Sequence, residues 1–113
     1  MPATLTPKIT GAIYGHLIGD ALGVPYEFSH PASIPFDVPW RAYGSHAVPA
    51  GTWSDDGALA LAQMASLLHM NALDCEDTAR KFLSWWRQGA YSSRGVAFDI
   101  GATTAKALAR FEA

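Results

Sequence analysis

Apolar residues recur at helical spacing in four stretches of the chain, and nowhere does apolar–polar alternation run long enough to mark a strand. The first stretch runs from about Pro7 to Leu22, with Ile9, Ile13, Leu17 and Ile18 on one face. Thr6 suits an N-cap and Pro7 the first helical position; Gly23 and Pro25 end the helix. The second runs from about Ser54 to Met70, where Leu59, Gln63, Ser66, Leu67 and Met70 interleave with alanines. The third, from about Cys75 to Gln88, is capped by Asp74 and stopped by Gly89, with Phe82, Leu83, Trp85 and Trp86 as a heavy apolar face. The fourth begins near Asp99 and continues through Thr103, Ala107, Leu108 and Phe111. These four elements predict an all-α class.

Two features stand apart from this pattern. Gly11, Gly15 and Gly19 recur every four residues in the first helix. Each mid-helix glycine costs up to about 1 kcal/mol relative to alanine, so three on one face predict the close approach of another backbone or a ligand. Between the first two helices, Val24 to Trp53 reads as one irregular segment carrying Pro25, Pro31, Pro35, Pro39 and Pro49. Loops of that length inside compact domains are functional or disordered. Tyr26, Trp40, Tyr43 and Trp53 argue for an ordered one.

Composition narrows the function classes. The 113 residues are 50% apolar and 16% charged, against about 25% charged in a typical soluble domain, which excludes a disordered tail. A net charge of −2 lacks the basic footprint of a nucleic-acid binder. No apolar run approaches the roughly 18 residues of a membrane span, and Met1 to Lys8 does not read as a secretory signal. Cys75 is the only cysteine, which removes intrachain disulfides and cysteine-based zinc frameworks. The expectation is a single cytoplasmic domain. It is short of the polar residues a small domain needs to cover itself: a partner covers it, it is part of a larger domain, or it is simply a small domain rich in Ala and Gly.

Candidate chemistry is carried by carboxylates. Ser54-Asp55-Asp56 opens the second helix after a Gly-Thr-Trp turn. A hydroxyl and two adjacent carboxylates are hard oxygen donors of the kind Mg2+ takes, and they suit one ion or a pair about 3.5–4 Å apart. The plainer alternative is that Ser54 caps the helix and the aspartates favour its dipole. Glu27 follows Gly-Val-Pro-Tyr in the loop, where it can accept a proton or orient a water, or simply be solvated. Asp20 sits against the dipole near the end of the first helix and calls for compensation. Asp99 either caps the fourth helix or joins Asp20 and Asp55 in one cluster. Ser92-Ser93-Arg94-Gly95 is a small polar loop with groups that contact phosphates. His16, His30, His46 and His69 have no partner at helical spacing and read as structural or surface residues.

The order of these motifs resembles a known family. The run from Gly11 to Glu27, reading GAIYGHLIGDALGVPYE, is similar to the opening of the ADP-ribosylglycohydrolase family. Gly51-Thr52-Trp53-Ser54-Asp55-Asp56 resembles its first metal motif, with Ser where Thr is usual. Phe98-Asp99-Ile100-Gly101, followed by Thr103 and Thr104, resembles a third block. The resemblance implies an all-α orthogonal helical fold with a binuclear Mg2+ or Mn2+ site. It implies Ser54, Asp55 and Asp56 as metal ligands, Glu27 as a loop acid that gates or assists the site, and Asp99 as an acid near the substrate ribose. The implied reaction is hydrolysis of an ADP-ribosyl glycosidic bond, on a protein side chain or in a small ADP-ribose conjugate.

The resemblance also implies two parts that these residues lack. The family carries a later Gly-Asn-Gly segment and a C-terminal Asp-x-Asp-Thr/Ser motif; neither occurs here. Residues 1–113 are therefore expected to form the N-terminal part of such a domain, with half a metal site and little or no turnover alone. Two alternatives stand beside that expectation. One is a non-catalytic helical interaction module that keeps part of the fold and associates through apolar surface. The other is a split enzyme completed by a complementary chain.

Overall fold

The structure, a computed structural model, describes residues 5–113. Among them lie four α-helices and two short 3-10 turns, with no strand: α1 (Thr6–Gly23), α2 (Asp55–Met70), α3 (Cys75–Gln88) and α4 (Ala102–Glu112). The all-α expectation holds. The chain divides into two compact units, Met1–Trp53 and Ser54–Ala113. No helix among the described residues is long and apolar enough to cross a membrane.

In the first unit, α1 starts one residue earlier than the sequence predicts. Leu5 takes the N-cap position and Pro7 falls within the first turn, where its missing N–H has no intrahelical acceptor to lose. The helix runs into a 3-10 turn, Val24–Tyr26, whose three residues are all buried. Asp20 lies in the last turn of α1, and its backbone carbonyl accepts the Val24 N–H. The glycine face does not meet the close neighbour expected of it: a Cβ added at Gly11, Gly15 or Gly19 would find nothing within 4 Å.

The long segment after α1 is ordered by side-chain bonds to its own backbone. Tyr26, 7% exposed, donates its hydroxyl to the Pro39 carbonyl, and the Arg41 guanidinium stacks over its ring at 5.6 Å. Tyr43 N–H donates to the Val48 carbonyl at 2.7 Å. Thr52 Oγ1 donates to the Pro49 carbonyl at 2.7 Å. Gly44 packs so closely on Pro25 that a Cβ there would overlap its carbonyl and Cα.

The second unit is a helical hairpin with α4 added to it. Ala58, Ala62 and Ser66 recur every four residues on α2 and are fully buried. Such small side chains let the backbone of α3 come close. Across this seam Thr78 Oγ1 donates to Ser66 Oγ at 3.1 Å, and Gln63 Nε2 donates to Thr78 Oγ1 at 3.2 Å. Two buried hydroxyls and a partly buried amide are thus hydrogen-bonded to one another along the seam. Asn71, at φ 53°, ends α2. Asp74 then caps α3 as the sequence predicts, its carboxylate accepting the Asp77 N–H at 2.8 Å. Gly89, at φ 72°, ends α3 and donates to the Trp85 carbonyl. Trp85, 1% exposed, is the largest fully buried side chain among the described residues. Arg87 ties α3 to α4 through a two-pronged bond to Glu112, Nε to Oε2 at 3.0 Å and Nη2 to Oε1 at 2.6 Å.

Candidate functional site

Each unit presents its own group of chemistry-bearing side chains. In the second, Ser54 occupies the N-cap position of α2 with extended backbone, yet its side chain makes no capping hydrogen bond. Ser54 is 2% exposed, and its hydroxyl hydrogen-bonds the Asp55 side chain. Capping therefore does not explain this serine. Asp55 and Asp56 fill the first turn, Asp55 half-buried and Asp56 exposed. Burial pushes the Asp55 carboxyl above the usual carboxylate range, and the negative charges of Asp56 and then Asp99 push it the same way. Hydrogen bonds from Ser54 and from the Asp56 backbone oppose that rise without cancelling it.

Asp99 does not cap α4, which corrects the plainer of its two readings. Gly101 holds the N-cap position, and the helix begins only at Ala102. Asp99 sits two residues before that cap at φ 63°, a left-handed conformation uncommon outside glycine and concentrated at functional positions. The loop thus places Asp99 where its charge acts on Asp55, while the helix end is served by backbone alone.

The donor set fits a hard divalent cation. Ser54, Asp55 and Asp56 offer a hydroxyl and carboxylate oxygens, the ligands that Mg2+ and Mn2+ take. Crowding of like charges disfavours ionisation of Asp55, and a cation held there would relieve it.

In the first unit, Glu27 stands just past the 3-10 turn. Its Oε2 lies 2.7 Å from His46 Nε2. An ionised carboxylate only accepts, so the imidazole N–H donates. His46 was missed by the sequence reading as anything beyond a structural or surface histidine. It stands nineteen positions along the chain from Glu27, across loop and one 3-10 turn, and no periodicity links positions in such a segment. His30, by contrast, is structural as expected: its Nδ1 accepts the Ala32 N–H.

Residues 1–113 match the ADP-ribosylglycohydrolase family over their whole length. The chain belongs to the ADP-ribosylglycohydrolase family. It is 35% identical over 109 residues to the ADP-ribosylarginine hydrolase Tri1 of Serratia proteamaculans (strain 568), which covers 92% of this chain and 28% of that protein. To the ADP-ribosylarginine hydrolase Tri1 of Pseudomonas putida (strain GB-1) it is 33% identical over 115 residues, covering 93% of this chain and 29% of the relative. The chain thus spans less than a third of the length of these curated relatives. The blocks that resemble the ADP-ribosylglycohydrolase family fall at defined places in the fold. The first is most of α1 with its 3-10 turn, the second is the entry to α2, and the third is the loop into α4.

Proposed function

We infer that this chain serves the metal-dependent hydrolysis of an ADP-ribosyl glycosidic bond, with ADP-ribosylated arginine on a protein as the substrate class. The names of the two relatives support the substrate. The observation that carries the reading is the state of Asp55: half-buried, hydrogen-bonded to Ser54, and raised in proton affinity first by that burial and then by the charges of Asp56 and Asp99. A helix start that needed only capping and dipole compensation would leave its carboxylates solvated.

In this reading Ser54, Asp55 and Asp56 hold Mg2+ or Mn2+. A bound divalent ion supplies Lewis-acid polarisation of substrate oxygens. Asp99 accepts a hydrogen bond from a ribose hydroxyl and fixes the sugar. Glu27 accepts the proton of the attacking water. Water adds at the anomeric carbon, the bond from that carbon to the acceptor nitrogen breaks, and the proton that Glu27 took from the water is returned through solvent to the leaving nitrogen. Asp55 and Asp56 are the two carboxylates that the reading assigns to the ion, and the chain spans less than a third of the relatives' length. Residues 1–113 are accordingly proposed as one part of a helical hydrolase domain, with little turnover alone.

The test pairs Mn2+ binding with release of ADP-ribose from ADP-ribosylarginine. The reading expects Mn2+ binding that is lost in Asp55→Asn and Asp56→Asn, and any hydrolysis by the chain to require the ion. Absence of Mn2+ binding, or hydrolysis indifferent to chelator, would overturn it. Absent binding with intact helical structure would favour the interaction module instead.

A further inference from the structure

We propose that His46 is the positioning residue for Glu27, holding its carboxylate in one conformation with one oxygen left for proton transfer. The inference rests on the reading of Glu27 as the loop acid of the hydrolase. It goes beyond that reading by assigning a residue that neither the motif blocks nor helical spacing picks out.

The arrangement is a clamp formed by three consecutive residues on a single turn of chain. Gly44 lies against Pro25 with no room for a side chain. That contact brings Ser45 into reach, and both its backbone N–H and its Oγ lie 3.3 Å from the Pro25 carbonyl. Ser45 Oγ also lies within hydrogen-bond reach of the Glu27 carbonyl. The backbone on both sides of Tyr26 is therefore held by one serine. His46 then completes the clamp on the side chain, its Nε2 donating to Glu27 Oε2 at 2.7 Å.

The imidazole is itself fixed. The His46 side chain is 14% exposed, whereas that of Glu27 is 31% exposed. The Phe28 ring tilts against the imidazole at 60°, with ring centroids 5.7 Å apart. Phe28 adopts φ 64° and Ala47 φ 52°, so left-handed residues sit just beyond both partners. Such conformations persist only where surrounding contacts over-determine them.

The chemical consequence follows from the geometry. Glutamate has three side-chain torsions and loses them only when something holds its end. A general base must present its oxygen in a defined direction, and a loose one loses rate through misplacement. His46 binds Oε2 and leaves Oε1 as the second acceptor of the same carboxylate.

The test is solution NMR of the full chain, reading the Glu27 side-chain couplings that report rotamer averaging. The wild-type chain is expected to show a single Glu27 rotamer. His46→Ala is expected to give averaged couplings, with amide signals of α2, α3 and α4 unmoved. His46→Gln keeps an N–H donor at the end of a side chain of similar reach and is expected to restore the single rotamer. A mere packing role for the imidazole would not be rescued by glutamine. Averaged couplings in the wild type, or unchanged couplings in His46→Ala, would overturn the proposal. Mn2+ binding separates this outcome from the fate of the hydrolase reading. His46→Ala should leave binding at Asp55 and Asp56 intact, whereas failure of the wild-type chain to bind Mn2+ would sink the reading and leave the rotamer result to decide the clamp.

Discussion

Asp99, in the loop ahead of α4, acts on Asp55, at the head of α2, as a like charge that raises its proton affinity. Burial is the larger cause and Asp56 the next, so Asp99 is the third contribution in one direction. A folded-state proton affinity above the unfolded one means that the native chain binds more protons than the unfolded chain just above the usual carboxylate range. Stability from this group is present at low pH and is lost as pH rises through that window. Asp55→Asn removes the ionisation and is expected to raise the melting temperature at pH 7 by a few degrees. The gain should shrink toward zero near pH 4, checked by thermal unfolding across pH 4–8. A lower melting temperature at pH 7 in the variant would contradict the account.

Asp77 behaves in the opposite sense. Hydrogen bonds from Lys81 and Ser66 hold its carboxyl below the usual range, and Lys81 Nζ lies 2.9 and 3.1 Å from the two oxygens. Its contribution is present above the usual carboxylate range and lost as pH falls through the depressed value. Asp77→Asn should therefore lower the melting temperature at pH 7 by a few degrees, with the difference closing in acid, as pH falls through the depressed value. An equal difference at neutral and acid pH would show that charge is not the cause.

Trp85 anchors the second unit at 1% exposure. Trp85→Ala should cost about 3–5 kcal/mol, the range for large buried aromatics. Far-UV circular dichroism against urea would show the midpoint falling sharply, and loss of cooperativity is expected if the remaining helices no longer hold together. A shift of less than about 1 kcal/mol would mean that the core lies elsewhere.

Glycine substitutions separate a constrained loop from an open helix face. Gly44→Ala would drive a Cβ into the Pro25 carbonyl, so it should displace Ser45 from its acceptors and release Glu27 into rotamer averaging. Gly15→Ala meets nothing within 4 Å and gains helix propensity, so it should stabilise by up to about 1 kcal/mol. Calorimetric unfolding of the two variants checks both signs; equal effects would contradict this reading of the two sites.

How far the fold was legible depends on the kind of signal each residue gives. The bounds of α3 follow from Asp74 and Gly89, because capping chemistry is local and leaves its mark in adjacent residues. The start of α4 was misplaced at Asp99, because an aspartate before a helix reads as a cap unless the backbone is seen. The glycines of α1 misled in a similar way: a small-residue face shows that close approach is sterically permitted, and no neighbour within 4 Å uses it. Ser54, Asp55 and Asp56 were legible as a group because they are contiguous. His46 was not, because its relation to Glu27 is made by the path of an irregular loop, which no periodic pattern encodes.

The central claim is that Ser54, Asp55 and Asp56 grip a divalent cation, and titration calorimetry of the chain with Mn2+ near neutral pH tests it most directly. The account predicts saturable binding that weakens as pH falls and disappears in Asp55→Asn and in Asp56→Asn, while both variants keep their helical content. No saturable binding by the wild-type chain, or the same binding in both variants, would contradict it.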